Sequence, residues 1–155
     1  MIKTVNIDRI VRRRDFEGHA GLKVTSMFRT IQGEGPFAGH PSVFLRLAGC
    51  NFGDKSPDSA CKWCDTFFAF DKGVDWDLSE LLKALTTLEG YAPTDVLVVT
   101  GGEPTLQHNL LAFMKMARPS FEAIQIETNG TQAACFADPE FSASPFISVY
   151  TVVSP

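Results

Sequence analysis

Hydrophobic positions along this chain follow two rhythms, one suited to strands and one to helices, and the two take turns. From Leu22 to Thr30 the β-branched and aromatic residues Val24, Thr25, Phe28 and Thr30 predict a strand, closed by the glycine-rich turn Gln32-Gly33-Glu34-Gly35-Pro36. Ser42 to Ala48 is a nearly continuous apolar run, with Val43, Phe44, Leu45 and Leu47, interrupted by Arg46, and predicts a second strand. Asp77, followed three residues on by Glu80, makes a capping-box-like start. Leu78, Leu81, Leu82, Leu85 and Leu88 then recur at helical spacing until Gly90. Thr94 to Thr100 holds Val96-Leu97-Val98-Val99, the pattern of a strand buried on both faces, as in a parallel sheet with helical crossovers. A second helix is predicted over 106–117, with Leu106, Leu110, Phe113, Met114 and Ala117 on one side, followed by strands over 122–127 and 146–153. Residues 1–21 mix Ile and Val with charges and read as an N-terminal extension, with a strand over 2–7 and no chemical signal.

This order of elements predicts an α/β fold with a mainly parallel sheet, carried by a domain over 22–155. In such sheets ligands bind beyond the carboxyl ends of the strands. Four segments fall there: the loop that begins at Cys50, the turn Gly101-Gly102-Glu103-Pro104, the turn Glu127-Thr128-Asn129-Gly130, and Ser154-Pro155. The expectation is one site built from all four.

Composition narrows the classes. A chain of 155 residues, 45% hydrophobic and 21% charged, is long enough to bury a real core. A net charge of −4 speaks against a general phosphate-backbone binder, and the basic run Arg12-Arg13-Arg14 reads as a solvated arm. No stretch approaches the apolar length of a membrane span, and Asp8 and Arg9 interrupt any signal-peptide core, so a reducing cytoplasm is the expected compartment. There, clustered cysteines bind metal or act in catalysis rather than forming disulfides.

Cys50, Cys61 and Cys64 form C-x(10)-C-x(2)-C. Three thiolates can hold three irons of a cubane cluster and leave the fourth open to an outside ligand. Structural zinc, with a fourth ligand drawn from Cys135, His19, His40 or His108, none of them at finger-like spacing, and unrelated thiols are the alternatives. Cys135 otherwise reads as a small buried hydrophobe. Trp63 could shield a cluster, stack on an adenine or serve as apolar cover. Arg46, in an apolar strand beside the cysteine loop, calls for an anionic partner: a ligand carboxylate, or an internal one such as Glu34. Asp65 and Thr66 offer oxygen ligands for a hard cation such as magnesium. Gly101 and Gly102 let backbone approach a ligand, and Glu103 can pair with an ammonium or hydroxyl.

Five motifs in order, Thr30-Ile31-Gln32-Gly33-Glu34-Gly35, Phe44-Leu45-Arg46-Leu47-Ala48-Gly49-Cys50-Asn51, Cys61-Lys62-Trp63-Cys64-Asp65-Thr66, Thr100-Gly101-Gly102-Glu103-Pro104 and Glu127-Thr128-Asn129-Gly130, resemble the 7-carboxy-7-deazaguanine synthases of the radical S-adenosylmethionine superfamily. The resemblance implies a partial (β/α) barrel and a [4Fe–4S] cluster on Cys50, Cys61 and Cys64. It implies S-adenosylmethionine lined by Trp63, Cys64, Asp65, Gly102, Glu103 and Ser154. The pterin substrate would lie against Ile31, Gln32, Gly33, Arg46 and Thr100, with magnesium on Thr66. Glu127 and Asn129 match motifs of the wider superfamily. The implied reaction converts 6-carboxy-5,6,7,8-tetrahydropterin to 7-carboxy-7-deazaguanine with loss of ammonia, feeding queuosine synthesis. A homodimer and an electron donor such as flavodoxin or ferredoxin follow from the same likeness, without direct nucleic-acid or membrane binding. Two departures stand out. Asn51 to Ala60 expand the usual C-x(3)-C spacing, read as a loop excursion over Gly53 to Ser59, and the family domain would continue beyond Pro155. A glycyl-radical activase would share the cysteines and Gly101 to Pro104, while a zinc-stabilised module would share only the thiols.

Overall fold

The computed structural model describes residues 13–52, 61, 64–70, 72–132 and 149–153. The elements are β1 (Leu22–Ile31), β2 (Pro41–Leu47), β3 (Val74–Trp76), α1 (Leu78–Thr86), β4 (Val96–Gly101), α2 (Leu110–Ala117), β5 (Ile124–Thr128) and β6 (Val149–Val153). They form one open six-stranded sheet in the order β3-β1-β2-β4-β5-β6. From β2 through β6 every pairing is parallel, while β1 runs antiparallel to both β2 and β3. The α/β class with a mainly parallel, unclosed sheet therefore matches the sequence expectation.

Alternation along the strands separates two faces. Val43, Leu45, Leu47, Leu97, Val99, Ile124 and Ile126 join Leu81, Leu85, Leu110, Phe113 and Met114 in one buried cluster beneath α1 and α2. Phe44, Val96, Val98 and Ala123 form a smaller cluster on the other side, with Phe37 packed against it. Toward the carboxyl ends this second face turns polar, with Arg46, Thr100, Gln125 and Glu127 at the matching strand positions.

Several boundaries differ from the sequence expectation. Asp77 caps α1, its Oδ1 accepting from the N–H groups of Ser79 (2.8 Å) and Glu80 (3.3 Å), but the helix ends at Thr86, short of Leu88. The second helix begins at Leu110 rather than 106, because Pro104–Leu106 closes a 3₁₀ turn. β3, only three residues long, gave no readable alternation. Residues 13–21 pack onto the domain: Phe16 is 6% exposed, and Asn109 Nδ2 donates to the carbonyl of His19 at 2.6 Å. The strand expected over 2–7, the first part of the one over 146–153, the loop from Gly53 to Ser59, and Arg12, Trp63, Cys135 and Ser154 lie outside the described residues.

Candidate functional site

The cysteine loop leaves β2 at Ala48 and is tied at once to two other strand ends. Gly49 accepts from the Glu103 N–H at 2.7 Å, and Leu47 accepts from the Gly102 N–H at 3.3 Å. Gly102 has to be glycine on steric grounds, since a Cβ there would stand 2.3 Å from the Gly49 oxygen and 2.7 Å from the Cys50 Cβ. Asn51 accepts from Asn129 Nδ2 at 3.0 Å and donates to Thr131 Oγ1 at 2.7 Å. The structure thus brings together three of the four expected segments, the cysteine loop, the Gly-Gly-Glu-Pro turn and the Glu-Thr-Asn-Gly turn.

No disulfide joins Cys50, Cys61 and Cys64. Burial pushes the Cys50 thiol up; a backbone N–H of Phe52 opposes this, and the neighbouring charges of Glu103, Cys64 and Cys61 raise it further. Such a thiol ionises when a cation arrives to offset those charges. Cys64 Sγ accepts from the Thr66 N–H at 3.3 Å. Among the described residues no three His, Cys, Asp or Glu side chains stand in metal-binding array. Of the alternative zinc ligands, His19 faces Asp75 at 3.3 Å and His40 packs edge-on against Phe37.

Thr66 donates its hydroxyl proton to Asp65 Oδ1 at 2.6 Å, which leaves the lone pairs of its oxygen available to a hard cation. Arg46 lies opposite Thr100 in the parallel register of β2 and β4. Its Nε is buried without a hydrogen-bond partner, and its guanidinium carbon sits 5.6 Å from the centre of the Phe68 ring. Among the described residues it forms no ion pair, with Glu34 or any other acid. Of the two partners expected for Arg46, the internal one is not found among the described residues.

Glu103 is fully buried. Its carboxylate accepts from the Thr105 N–H (3.0 Å), the Thr105 hydroxyl, the Thr128 hydroxyl (2.7 Å) and the Asn129 N–H (2.6 Å). Here it staples the two glycine turns together. Gln32, buried as well, accepts with Oε1 from the N–H groups of Gly33 (2.7 Å) and Glu34 (3.2 Å) and donates from Nε2 to Glu127 at 3.0 Å. Ile31 stands 57% exposed at the end of β1, and Gly33 has open space around it. Gln125, not singled out in the sequence, lies under this turn, with Nε2 3.4 Å from the Glu34 carbonyl and its Oε1 buried without a partner. Its signal was a polar residue at the same parity as Glu127 inside an apolar strand. Beside the cysteine loop, a cleft of about 220 Å³ opens between Phe16, Lys23, Gly49 and Phe70.

No family model matches the chain. Curated proteins do. Similarity to the 7-carboxy-7-deazaguanine synthase of Rickettsia prowazekii is 45% identity over 112 residues, 71% of this chain and 44% of that one. The synthase of Hyperthermus butylicus is 37% identical over 152 residues, covering 96% and 58%. That of Escherichia coli K12 is 33% identical over 154 residues, covering 84% and 65%. The chain is a relative of the 7-carboxy-7-deazaguanine synthases. It spans between 44% and 65% of the length of these relatives. The crystal structure of QueE from Escherichia coli superposes with a TM-score of 0.66 at 27% identity, over 94% of this chain and 65% of that one. The synthase likeness and the open parallel sheet agree, and the motifs that carry the first are held together by the hydrogen bonds of the second.

Proposed function

We propose that this chain performs the radical S-adenosylmethionine reaction of a 7-carboxy-7-deazaguanine synthase, the lyase conversion of 6-carboxy-5,6,7,8-tetrahydropterin to 7-carboxy-7-deazaguanine with loss of ammonia. The observation that carries this reading is the buried Arg46 Nε without a partner, on the strand position next to Thr100, one short step from a cysteine loop stitched to both glycine turns. A half-buried guanidinium whose Nε has no partner, beside a three-thiol donor set, fits an anionic small molecule next to a cluster.

Cys50, Cys61 and Cys64 would hold a [4Fe–4S] cluster. When bound, the cluster and S-adenosylmethionine supply the electron and the hydrogen-abstracting group. The chain's residues bind and orient. Cys64, Asp65, Gly102 and Glu103 would border the S-adenosylmethionine side; Trp63 and Ser154, which the resemblance adds to this set, lie outside the described residues. Arg46 takes the pterin carboxylate, Thr100 and the Ile31-Gln32-Gly33 backbone flank the ring, and Thr66 offers its oxygen to Mg²⁺. Arg46, Thr66 and the Gln32 turn favour a small anionic substrate over the protein partner of a glycyl-radical activase.

The product would serve queuosine synthesis in the cytoplasm, with a flavodoxin or ferredoxin as reductant and a homodimer as the working state. Among the described residues no helix is long and apolar enough to cross a membrane. Neither nucleic acid nor membrane is a proposed partner.

The test is anaerobic reconstitution followed by electron paramagnetic resonance of the reduced protein, with and without S-adenosylmethionine. A [4Fe–4S] signal that shifts on addition, retained in Cys135→Ala and lost in Cys61→Ala, supports the proposal. Zinc without iron or acid-labile sulfide overturns it in favour of a zinc-stabilised module.

A further inference from the structure

Gln107 belongs to none of the motifs above, and the proposed chemistry does not use it, yet its side-chain amide is buried at 3% exposure. It follows the 3₁₀ turn Pro104–Leu106, four residues after Glu103. Oε1 accepts from the Lys23 N–H at 2.7 Å, while Nε2 donates to the Lys23 carbonyl at 2.9 Å and to the Ala48 carbonyl at 3.0 Å. Its amide therefore uses both N–H groups and its oxygen at one point of the backbone.

That point is where β1 and β2 stop pairing regularly. The register shifts between Val24 and Ser26, and β2 ends at Leu47, so the next residues leave the sheet. Ala48 and Gly49 nevertheless have all their backbone polar groups bonded. The Ala48 N–H donates to Lys23 at 2.9 Å and the Gly49 N–H to Ala69 at 2.9 Å, while Gly49 accepts from the Glu103 N–H. The fourth bond, to the Ala48 carbonyl, is the one that comes from a side chain, and Gln107 supplies it. Cys50 is the next residue.

We infer that Gln107 is a positioning residue for Cys50: its amide replaces the missing strand partner at the end of β2 and fixes the backbone from which the first thiolate is presented. The inference rests on the proposed cluster site for its functional meaning, but its structural claim stands apart from any cluster. Glutamine is specific in this role. Glutamate would set a carboxylate against the Lys23 and Ala48 carbonyls, and leucine would remove the side-chain partners of the Lys23 N–H and the Ala48 carbonyl while the Lys23 carbonyl keeps only the Ala48 N–H.

The experiment compares wild type, Gln107→Leu and Gln107→Glu with Leu81→Ala, a core truncation in α1, as the control for general destabilisation. In metal-free protein, amide exchange by NMR should accelerate about tenfold or more at Ala48 and Gly49 in both Gln107 variants, while Val98 in β4 keeps its protection. In reconstituted protein, iron and sulfide per folded chain should fall, and the resonance of any remaining cluster should broaden, in the Gln107 variants but not in Leu81→Ala. Unchanged exchange at Ala48 and Gly49, or equal cluster loss in Leu81→Ala, overturns the inference. A wild type that binds no cluster yet shows the exchange effect sinks the proposed function and leaves the clamp established. Should Gln107→Leu fail to fold, Gln107→Glu decides by the same two readings.

Discussion

Arg46 occupies a strand position that folding alone would fill with an apolar side chain. Phe44, two residues before it on the same face, is buried, and nothing among the described residues satisfies the Arg46 Nε. A buried donor without a partner costs about 1–3 kcal/mol, whereas the contact with Phe68 returns roughly 0.5–1 kcal/mol. Arg46→Met should therefore leave the free energy of unfolding within about 1 kcal/mol of wild type, or raise it. Under the proposed function the same substitution removes a charge-assisted contact to a carboxylate, worth about 1.5–3 kcal/mol, and should weaken binding of the carboxylated pterin some 10- to 150-fold. Urea denaturation and substrate titration measure the two effects separately. A variant that binds substrate normally but unfolds easily would make Arg46 structural. Glu103 shows the opposite disposition: its carboxylate already accepts four hydrogen bonds inside the protein, three of them on Oε1, so its substitution should disturb the turn from Thr128 to Gly130 as well as any ligand contact.

At the level of elements, β1 is joined to the start of β4 by more than the sheet. Arg29 donates from Nε (2.7 Å) and Nη2 (3.0 Å) to the two oxygens of Asp95, which also accepts from the Ala92 N–H at 3.2 Å. The Arg29 hydrogen bond holds the Asp95 carboxyl below its usual range despite burial. A depressed carboxyl stabilises the fold fully above its unfolded value of about 4 and loses that contribution as pH falls through the folded value. Asp95→Asn should lower the urea midpoint at neutral pH, and the gap to wild type should close on acidification below about pH 4. A gap independent of pH would mean that packing, not charge, carries the effect. The elements themselves were legible where burial repeats: the two-sided run Val96-Leu97-Val98-Val99 is β4, and the leucines after Asp77 are α1. They were illegible where a tertiary contact sets the boundary. Leu106 has the right spacing for a helix, yet the residues from Pro104 to Gln107 are drawn into a 3₁₀ turn that places Gln107 on Ala48, so α2 starts later. Val74–Trp76 pairs with β1 over three residues, too few for alternation to show. In the site, the sequence could nominate Cys50 by its spacing to Cys61 and Cys64, and Arg46 because it breaks an apolar pattern. Gln125 breaks its strand's apolar pattern in the same way, whereas nothing in the spacing reveals Gln107, whose importance lies in which backbone groups its amide meets.

Among the described residues the two faces of the sheet differ, and that asymmetry is what a site requires. One face is sealed by α1 and α2, while the other leaves Phe28 at 38% exposure, stacked on Phe44 with ring centres 5.3 Å apart, and presents Arg46 and Thr100 at its carboxyl end. Stability should therefore reside on the helical side. Leu97→Ala, under the helices, should cost about 2–5 kcal/mol because the enclosed space cannot collapse around the missing atoms. Phe28→Ala, on the open side, removes one stacking contact worth about 0.5–1.5 kcal/mol from a ring that already meets solvent, so its total loss should stay nearer 1 kcal/mol. Guanidinium denaturation of the two variants at one pH decides the comparison. Equal losses would mean that the open face is as much a part of the core as the sealed one, and Arg46, Thr100 and the glutamine turn would then be parts of a closed interior. Unequal losses in the expected order leave a face whose residues are held in place by the other side of the sheet and remain available to a ligand.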